Sequence, residues 1–205
     1  MNSPTLTPLP ALAEQPRVQV SVEPDPDAAL VASARNGDRA ALEAIYRKYV
    51  RRVYNLVYRM VSDRQVTEDV TQEVFYQVYR NLAMFSGHSR FYTWLFRVAT
   101  NVALAQGRRM HRHTSRQVPY EDWHPSTSPY TDPPTAAISR GELARVQAAL
   151  EVLPERHRTM LVLGVVQELP YIDISEILGI TVDAVKGRMH RAREALREQL
   201  EGVPA

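Results

Sequence analysis

The chain has 205 residues and a mass of 23.3 kDa, with 44% hydrophobic and 23% charged residues, a composition ordinary for a soluble protein of one moderate domain or two small ones. It contains no cysteine, which excludes disulfides, thiolate metal sites and cysteine nucleophiles and suits a reducing cytoplasm. No apolar run approaches the roughly 18 residues that cross a bilayer, and the first 26 residues lack the basic start and apolar stretch of a secretory signal.

The net charge of +2 hides an asymmetry. Residues 27–110 carry thirteen basic and seven acidic residues, whereas 139–205 carry nine and ten. The first block is basic, as a polyanion-binding surface is. In the last block Lys186, Arg188, Arg191, Arg193 and Arg197 bunch together around His190.

Taken in chain order, residues 1–26 hold six of the fourteen prolines and read as a disordered tail. Within it Val18, Val20 and Val22 alternate, a pattern that suits an extended segment on a partner. A short helix is expected over Ala28 to Arg35 with Asp27 as its cap, followed by the Asn36-Gly37 stop. From the cap residue Asp38 onward, Leu42, Ile45, Tyr49, Val53, Leu56 and Met60 recur at helical spacing. The next helix places Val66, Val70, Val74, Val78 and Leu82 on one stripe, widened by Phe75 and Tyr79. After the break at Phe85–Arg90, Phe91, Leu95, Val98 and Val102 mark a third long helix. The stretch from His111 to Ile138 gathers Pro, Ser, Thr and Asp and reads as a linker.

Beyond the linker, helices are expected over about Ser139 to Val152 and from Pro154. Ile172, Ile174, Ile177 and Leu178 then give a short apolar helix stopped by Gly179. Thr181 can cap the helix that follows, with Asp183 in its first turn. This is a helix-turn-helix. On its last helix Val182, Val185, Met189, Ala192 and Leu196 form the apolar stripe, and Asp183, Gly187, His190, Arg191 and Glu194 lie opposite, flanked by Lys186 and Arg188. Donors beside a small residue suit a helix that enters the major groove of DNA. The chain reads as an all-α protein of two small helical domains on a flexible linker.

Four segments, TEDVTQEVF (Thr67–Phe75), FSGHSRFYTWLFRVATN (Phe85–Asn101), ALEVLP (Ala149–Pro154) and AVKGRMHRARE (Ala184–Glu194), follow one another in an order that resembles the extracytoplasmic-function sigma factors of bacterial RNA polymerase. These are the compact members of the sigma-70 family, with domains 2 and 4 alone. The resemblance covers roughly Asp27–Arg109 and Ser139–Leu200. It implies a transcription initiation factor that binds core polymerase through its β′ coiled coil and β subunit, reads the −35 and −10 promoter elements, and helps melt the DNA. The core-binding face on the β′ coiled coil falls on Asp69, Gln72, Glu73 and Tyr76. For the −10 strand, Phe85, Ser89 and Asn101 match positions of a pocket that captures an extruded base, and Arg97, Arg108 and Arg109 match phosphate contacts. Core packing and DNA contact are both open for Phe91 and Trp94. For the duplex −35 element, Lys186, Gly187, His190 and Arg191 match base or nearby backbone contacts, and Arg188 and Arg193 phosphate contacts. Two departures stand out: Pro170 and Gly187 occupy positions where relatives often carry Ser.

The resemblance implies no catalytic residue, metal or cofactor. Preferential binding of the open strand supplies the melting energy. It also implies a separate anti-sigma factor, often tethered to a membrane, that holds the chain without the chain itself inserting. The sequence ends five residues after Leu200, so regulation is expected from outside the chain. Two other readings come from different classes. One is a stand-alone helix-turn-helix repressor or activator with a sensory first domain. The other is a metal enzyme using His111, His113, Asp122 and His124, which lie in a Pro/Ser-rich stretch without an i, i+4 pair. No Gly-rich phosphate loop or paired-carboxylate site supports an ATPase or hydrolase.

Overall fold

The computed structural model describes the backbone of residues 25–114 and 140–201, and side chains within 25–110 and 145–201. The described residues form helices and turns, with no strand among them. An N-terminal bundle contains α1 (Ala28–Arg35), α2 (Arg39–Val61), α3 (Arg64–Asn81) with a 3₁₀ turn at Leu82–Met84, and α4 (Phe91–Thr114). A C-terminal bundle contains α5 (Arg140–Val152), α6 (Glu155–Leu161) running into a π-helical turn at Val162–Val166, α7 (Tyr171–Leu178) and α8 (Val182–Glu201).

Local chemistry explains most of the boundaries. Asp38 accepts from the N–H groups of Ala40 and Ala41 and starts α2; Asp63 does the same for α3 through Val66. Asp27 stands at the start of α1, yet its side chain makes no cap. It is buried and takes Lys48 at 2.5 Å together with the Tyr49 hydroxyl. Burial, then that hydrogen bond, pushes the Tyr49 phenol well above its ordinary value. Asp25, read as part of the tail, instead belongs to the fold: its carboxylate accepts the Phe91 N–H at 2.6 Å and so caps α4 from a distant segment. The helix α4 continues through Thr114, four residues into the stretch read as linker. Nothing in Met110–Thr114 stops a helix, and the next Pro is Pro119. The rest of the linker and the tail up to residue 24 lie outside the described residues.

Core side chains of both bundles join in one buried cluster, with Phe91, Leu95 and Phe96 of α4 beside Leu163, Ile174 and Met189. The two bundles therefore pack directly on each other, with α7 against α4 and the π-helical turn against α2. Polar ties ring this contact. Arg52 donates to the Gln167 carbonyl at 3.1 Å, Arg59 to the Gln147 amide oxygen at 2.8 Å, and Arg158 to the Met60 carbonyl at 2.9 Å.

Candidate functional site

The helix-turn-helix forms as its turn residues require. Gly179 closes α7 in the left-handed region at φ 63°, where a Cβ is costly. Thr181 then accepts the Ala184 N–H at 3.2 Å and opens α8. At Pro170 no side-chain cap is made, as the missing hydroxyl dictates. Val185, Met189 and Ala192 are buried, so the opposite side of α8 faces out. Lys186, Arg188, His190, Arg191 and Arg193 are all exposed, and Gly187 sits among them. Lys186 is held at 3.1 Å by Asp183 and His190 lies 3.5 Å from Glu194. Both pairs are solvent-facing and weak, so these groups are free to exchange partners. The result is a row of donors around one side-chain-free position, the shape that major-groove reading uses.

On α3 the expected face is also outward. Asp69, Gln72, Glu73 and Tyr76 are exposed while Val70, Val74 and Val78 are buried behind them. Sequence reasoning missed the neighbouring aromatics. An apolar groove of about 250 Å³ runs between α2 and α3, lined by Leu42, Ile45, Tyr46, Phe75, Val78 and Tyr79. Tyr76 is 55% and Tyr79 62% exposed, and Met84 projects nearby at 78%. Large apolar groups gathered beside charged ones mark an interaction surface. The signal was present in the wide aromatic stripe of α3, which was assigned to packing.

Of the two aromatics left open, the structure places Phe91 in the core and leaves Trp94 partly exposed. Phe91 is fully buried, and Phe85, at 7% exposure, lies with its ring 5.7 Å from Phe91 and 5.3 Å from Trp94. Phe85 is therefore a support beneath the loop rather than an open stacking platform in this arrangement. Trp94 is half-buried, with one side on Phe85 and Phe91. Ser89 is half-buried in the loop and Asn101 is exposed, ten residues beyond Phe91 and so about 15 Å further along the axis. The loop and Asn101 do not form one closed pocket. They stand at different heights along α4.

Arg108 and Arg109 are exposed near the far end of that helix. Arg97 is half-buried, and its Nε is buried with no hydrogen-bond partner among the described residues. Tyr92 and Thr93 both donate to Asp173 of α7, Thr93 at 3.2 Å. Burial, then the bond to Asp173, raises the Tyr92 phenol.

Glu176, one turn along α7, is pushed up by burial and then by Asp173, while Arg97 pulls it down. None of these α7 carboxylates was singled out from sequence. Among the described residues no cluster of His, Asp and Glu could hold a metal ion. The side chains of His111, His113, Asp122 and His124 lie outside them. No helix of the described residues is long and apolar enough to cross a membrane.

Two family descriptions match this chain: Sigma-70 region 2 over residues 45–114 and Sigma-70, region 4, over 143–196. The chain is 36% identical over 184 residues to the RNA polymerase sigma-H factor of Pseudomonas aeruginosa, covering 85% of this chain and 94% of that one. It is 33% identical to the ECF RNA polymerase sigma factor SigW of Bacillus subtilis, covering 84% and 96%. Its fold is similar to that of CnrH in complex with the cytosolic domain of CnrY, with a TM-score of 0.66 at 24% identity, covering 87% of this chain and 99% of that one. The sigma factor RpoE of Bartonella quintana in complex with the anti-sigma factor NepR is similar at a TM-score of 0.62 and 21% identity, covering 79% and 98%.

Proposed function

The chain belongs to the sigma-70 family as an extracytoplasmic-function sigma factor of bacterial RNA polymerase, and from that premise we propose how its surfaces divide the work of initiation. A factor of this family joins core polymerase, directs it to promoters through the −35 and −10 elements and assists melting. In this reading residues 27–110 dock on core polymerase and take the −10 strand, 139–205 read the −35 duplex, and 111–138 connect them.

The row of donors on α8 carries the reading. Lys186, His190 and Arg191 meet base edges while Arg188 and Arg193 hold phosphate, with Gly187 letting the helix approach. On α3, Asp69, Gln72, Glu73 and Tyr76 meet the β′ coiled coil, and the adjoining aromatic groove extends that contact. Along α4 the strand passes the Phe85–Arg90 loop, presents an unstacked base to Ser89 and Asn101, and lays its phosphates on Arg97, Arg108 and Arg109. Phe85 supports the loop from below. No bond is made or broken by the chain. It works in the cytoplasm, and an anti-sigma factor is a further partner, as the NepR complex of the Bartonella protein suggests.

Geometry adds a requirement. Elements named −35 and −10 lie roughly 25 base pairs apart, about 85 Å of duplex. In the described arrangement α7 touches α4, so the two bundles must separate to engage both elements. The 25 residues between α4 and α5 reach at most about 85 Å when extended, which makes that separation feasible. The test is transcription from a randomised promoter library by core polymerase with and without the chain. Transcripts that depend on the chain and share two spaced elements are expected. Enrichment of duplex DNA by the chain alone, with no new transcripts, would restore the repressor reading.

A further inference from the structure

Two glycines lie against the reading helix for different reasons. Around Gly187 there is room for a side chain, whereas at Gly164, the middle residue of the π-helical turn, there is none. A Cβ added at Gly164 would overlap Met189 Cε, closer than real carbon atoms approach, and would stand 3.3 Å from Ile174 Cδ1 and 3.5 Å from Met189 Sδ. Gly164 is not among the glycines with positive φ, so space rather than backbone freedom calls for glycine there. Met189 is 1% and Ile174 0% exposed, which leaves the Met189 methyl no solvent to swing into. The hollow at Gly164 is therefore a socket that the Met189 methyl fills, with Ile174 of α7 closing a third side. The turn that carries it is widened, with the Gln167 N–H donating to the Val162 carbonyl at 2.9 Å, five residues back. Such turns are rare and gather at functional sites.

Met189 sits in the middle of α8, with Lys186 and Gly187 just before it and His190 and Arg191 just after. We propose that Gly164 and Met189 act as socket and pin, fixing the roll of α8 so that its outward groups meet base edges in register. A roll of about 10° carries a group about 6 Å from the helix axis through about 1 Å. Ordinary hydrogen-bond lengths span only about 0.5 Å. A helix loose by that much still lays its cations on phosphate but loses the geometry of base contacts. Gly164 is thus a positioning residue for −35 discrimination, acting through Met189 and touching no DNA. This rests on the reading of α8 as the −35 face, and deepens it by naming what holds that face in place.

The test moves one methyl group from one side of this contact to the other. Gly164→Ala adds a carbon where the Met189 methyl lies. Met189→Leu removes that methyl and ends the side chain near the Sδ position, a swap that cores usually tolerate. The double variant does both. Each full-length variant is assembled with core polymerase, and affinity is measured for promoter duplexes altered at single −35 base pairs and for one with a scrambled −35 element. Gly164→Ala should reduce −35 discrimination roughly fivefold or more, the smallest ratio that one lost base contact gives. Affinity for the scrambled duplex should stay unchanged. Met189→Leu should lose part of the discrimination, and the double variant should recover it. With the methionine methyls isotopically labelled, the Met189 resonance, identified by its loss in Met189→Leu, should shift in Gly164→Ala while that of Met84 in the N-terminal bundle stays.

Should Gly164→Ala fail to fold, Met189→Leu and the double variant decide between them. Restoring the methyl from the Gly164 side should raise discrimination above that of Met189→Leu, and absence of that gain overturns the pinning role. A Gly164→Ala chain whose Met189 resonance moves while −35 discrimination stays at the wild-type level also overturns it. Leu153→Val loosens the buried packing just before α6, at its far end from Gly164, and controls for stability. Equal loss of discrimination there at an equal loss of melting temperature counts as a third refutation. Lys186→Ala and Arg191→Ala in the same assay separate the two levels. Insensitivity to both removes the −35 reading of α8 and the socket with it. Sensitivity to them with no effect of Gly164→Ala removes the socket alone.

Discussion

Replacing Gly187 with Ala moves stability and promoter recognition in opposite directions. In a helix interior Ala is favoured over Gly by about 1 kcal/mol. A Cβ at Gly187 meets nothing closer than the Arg191 guanidinium at 3.8 Å, ordinary contact with the end of a flexible side chain. No steric cost offsets the propensity gain, so Gly187→Ala should raise the melting temperature by roughly 2–4 °C for a chain of this size. The methyl group points to the side opposite Val185, Met189 and Ala192, which is the proposed groove side. If the missing side chain serves close approach, the methyl holds the helix off neighbouring bases. A good base contact is worth about 1–3 kcal/mol, so −35 affinity of the holoenzyme should fall about five- to 150-fold. Thermal melting by circular dichroism and anisotropy on a −35 duplex measure the two effects. A lower melting temperature would show that packing requires the glycine. A higher one with unchanged −35 affinity would refute close approach and leave Gly187 a lost contact only.

Charge reversal at the exposed Asp69 and Glu73 should weaken assembly with core polymerase while helical content is retained; loss of fold with assembly intact would make them structural. Lys186→Ala, His190→Ala and Arg191→Ala should each cost about 1–3 kcal/mol of −35 discrimination in the holoenzyme, read by competition among duplexes altered at single base pairs. Asn101→Ala should slow permanganate-detected melting more than it weakens closed-complex binding, and a premelted −10 region should recover part of the loss. Equal loss at both steps would show that Asn101 does not act on the unstacked base. Thr181→Ala removes the bond to the Ala184 N–H and should cost about 0.5–2 kcal/mol of stability, measured by urea unfolding.

What could be read from the sequence is what local chemistry decides. Asp38, Gly179 and Thr181 act on residues within four positions of themselves, and each does what its side chain or missing side chain dictates. The stripes of α3 and α8 follow helical spacing and came out buried where the period placed them, apart from the half-buried Val66, Phe75, Val182 and Leu196 and the exposed Tyr79. The failures share one cause, a partner far away in the chain. Asp27 had the position of a cap, but Lys48 and Tyr49 claim its carboxylate. Asp25 looked like tail because its partner is the Phe91 N–H, 66 residues on. Asp173, between Ile172 and Ile174, offers no sign that Tyr92 and Thr93 will meet it. The candidate site was legible on α8 and α3, where exposure follows from the apolar stripe alone. On α4 it was only half legible, because this helix is shared by two bundles and its outward side depends on where the second one sits.

That shared helix also shows which terms hold the bundles together and which oppose them. Interfaces between domains of one chain resemble transient ones in being polar at their edges, and here Asp173, Gln167, Gln147 and Arg158 all have alternatives in water once released. A buried polar atom without a partner costs about 1–3 kcal/mol. Arg97 Nε and Thr100 Oγ1 are two such atoms among the described residues, and both belong to the part of α4 that the C-terminal bundle adjoins. Separation of the bundles would open both atoms to water. Against this stand the apolar contacts around Phe96, Leu163 and Ile174, which favour the packed form. The two terms oppose each other, so a partner that binds the separated bundles need supply only their difference.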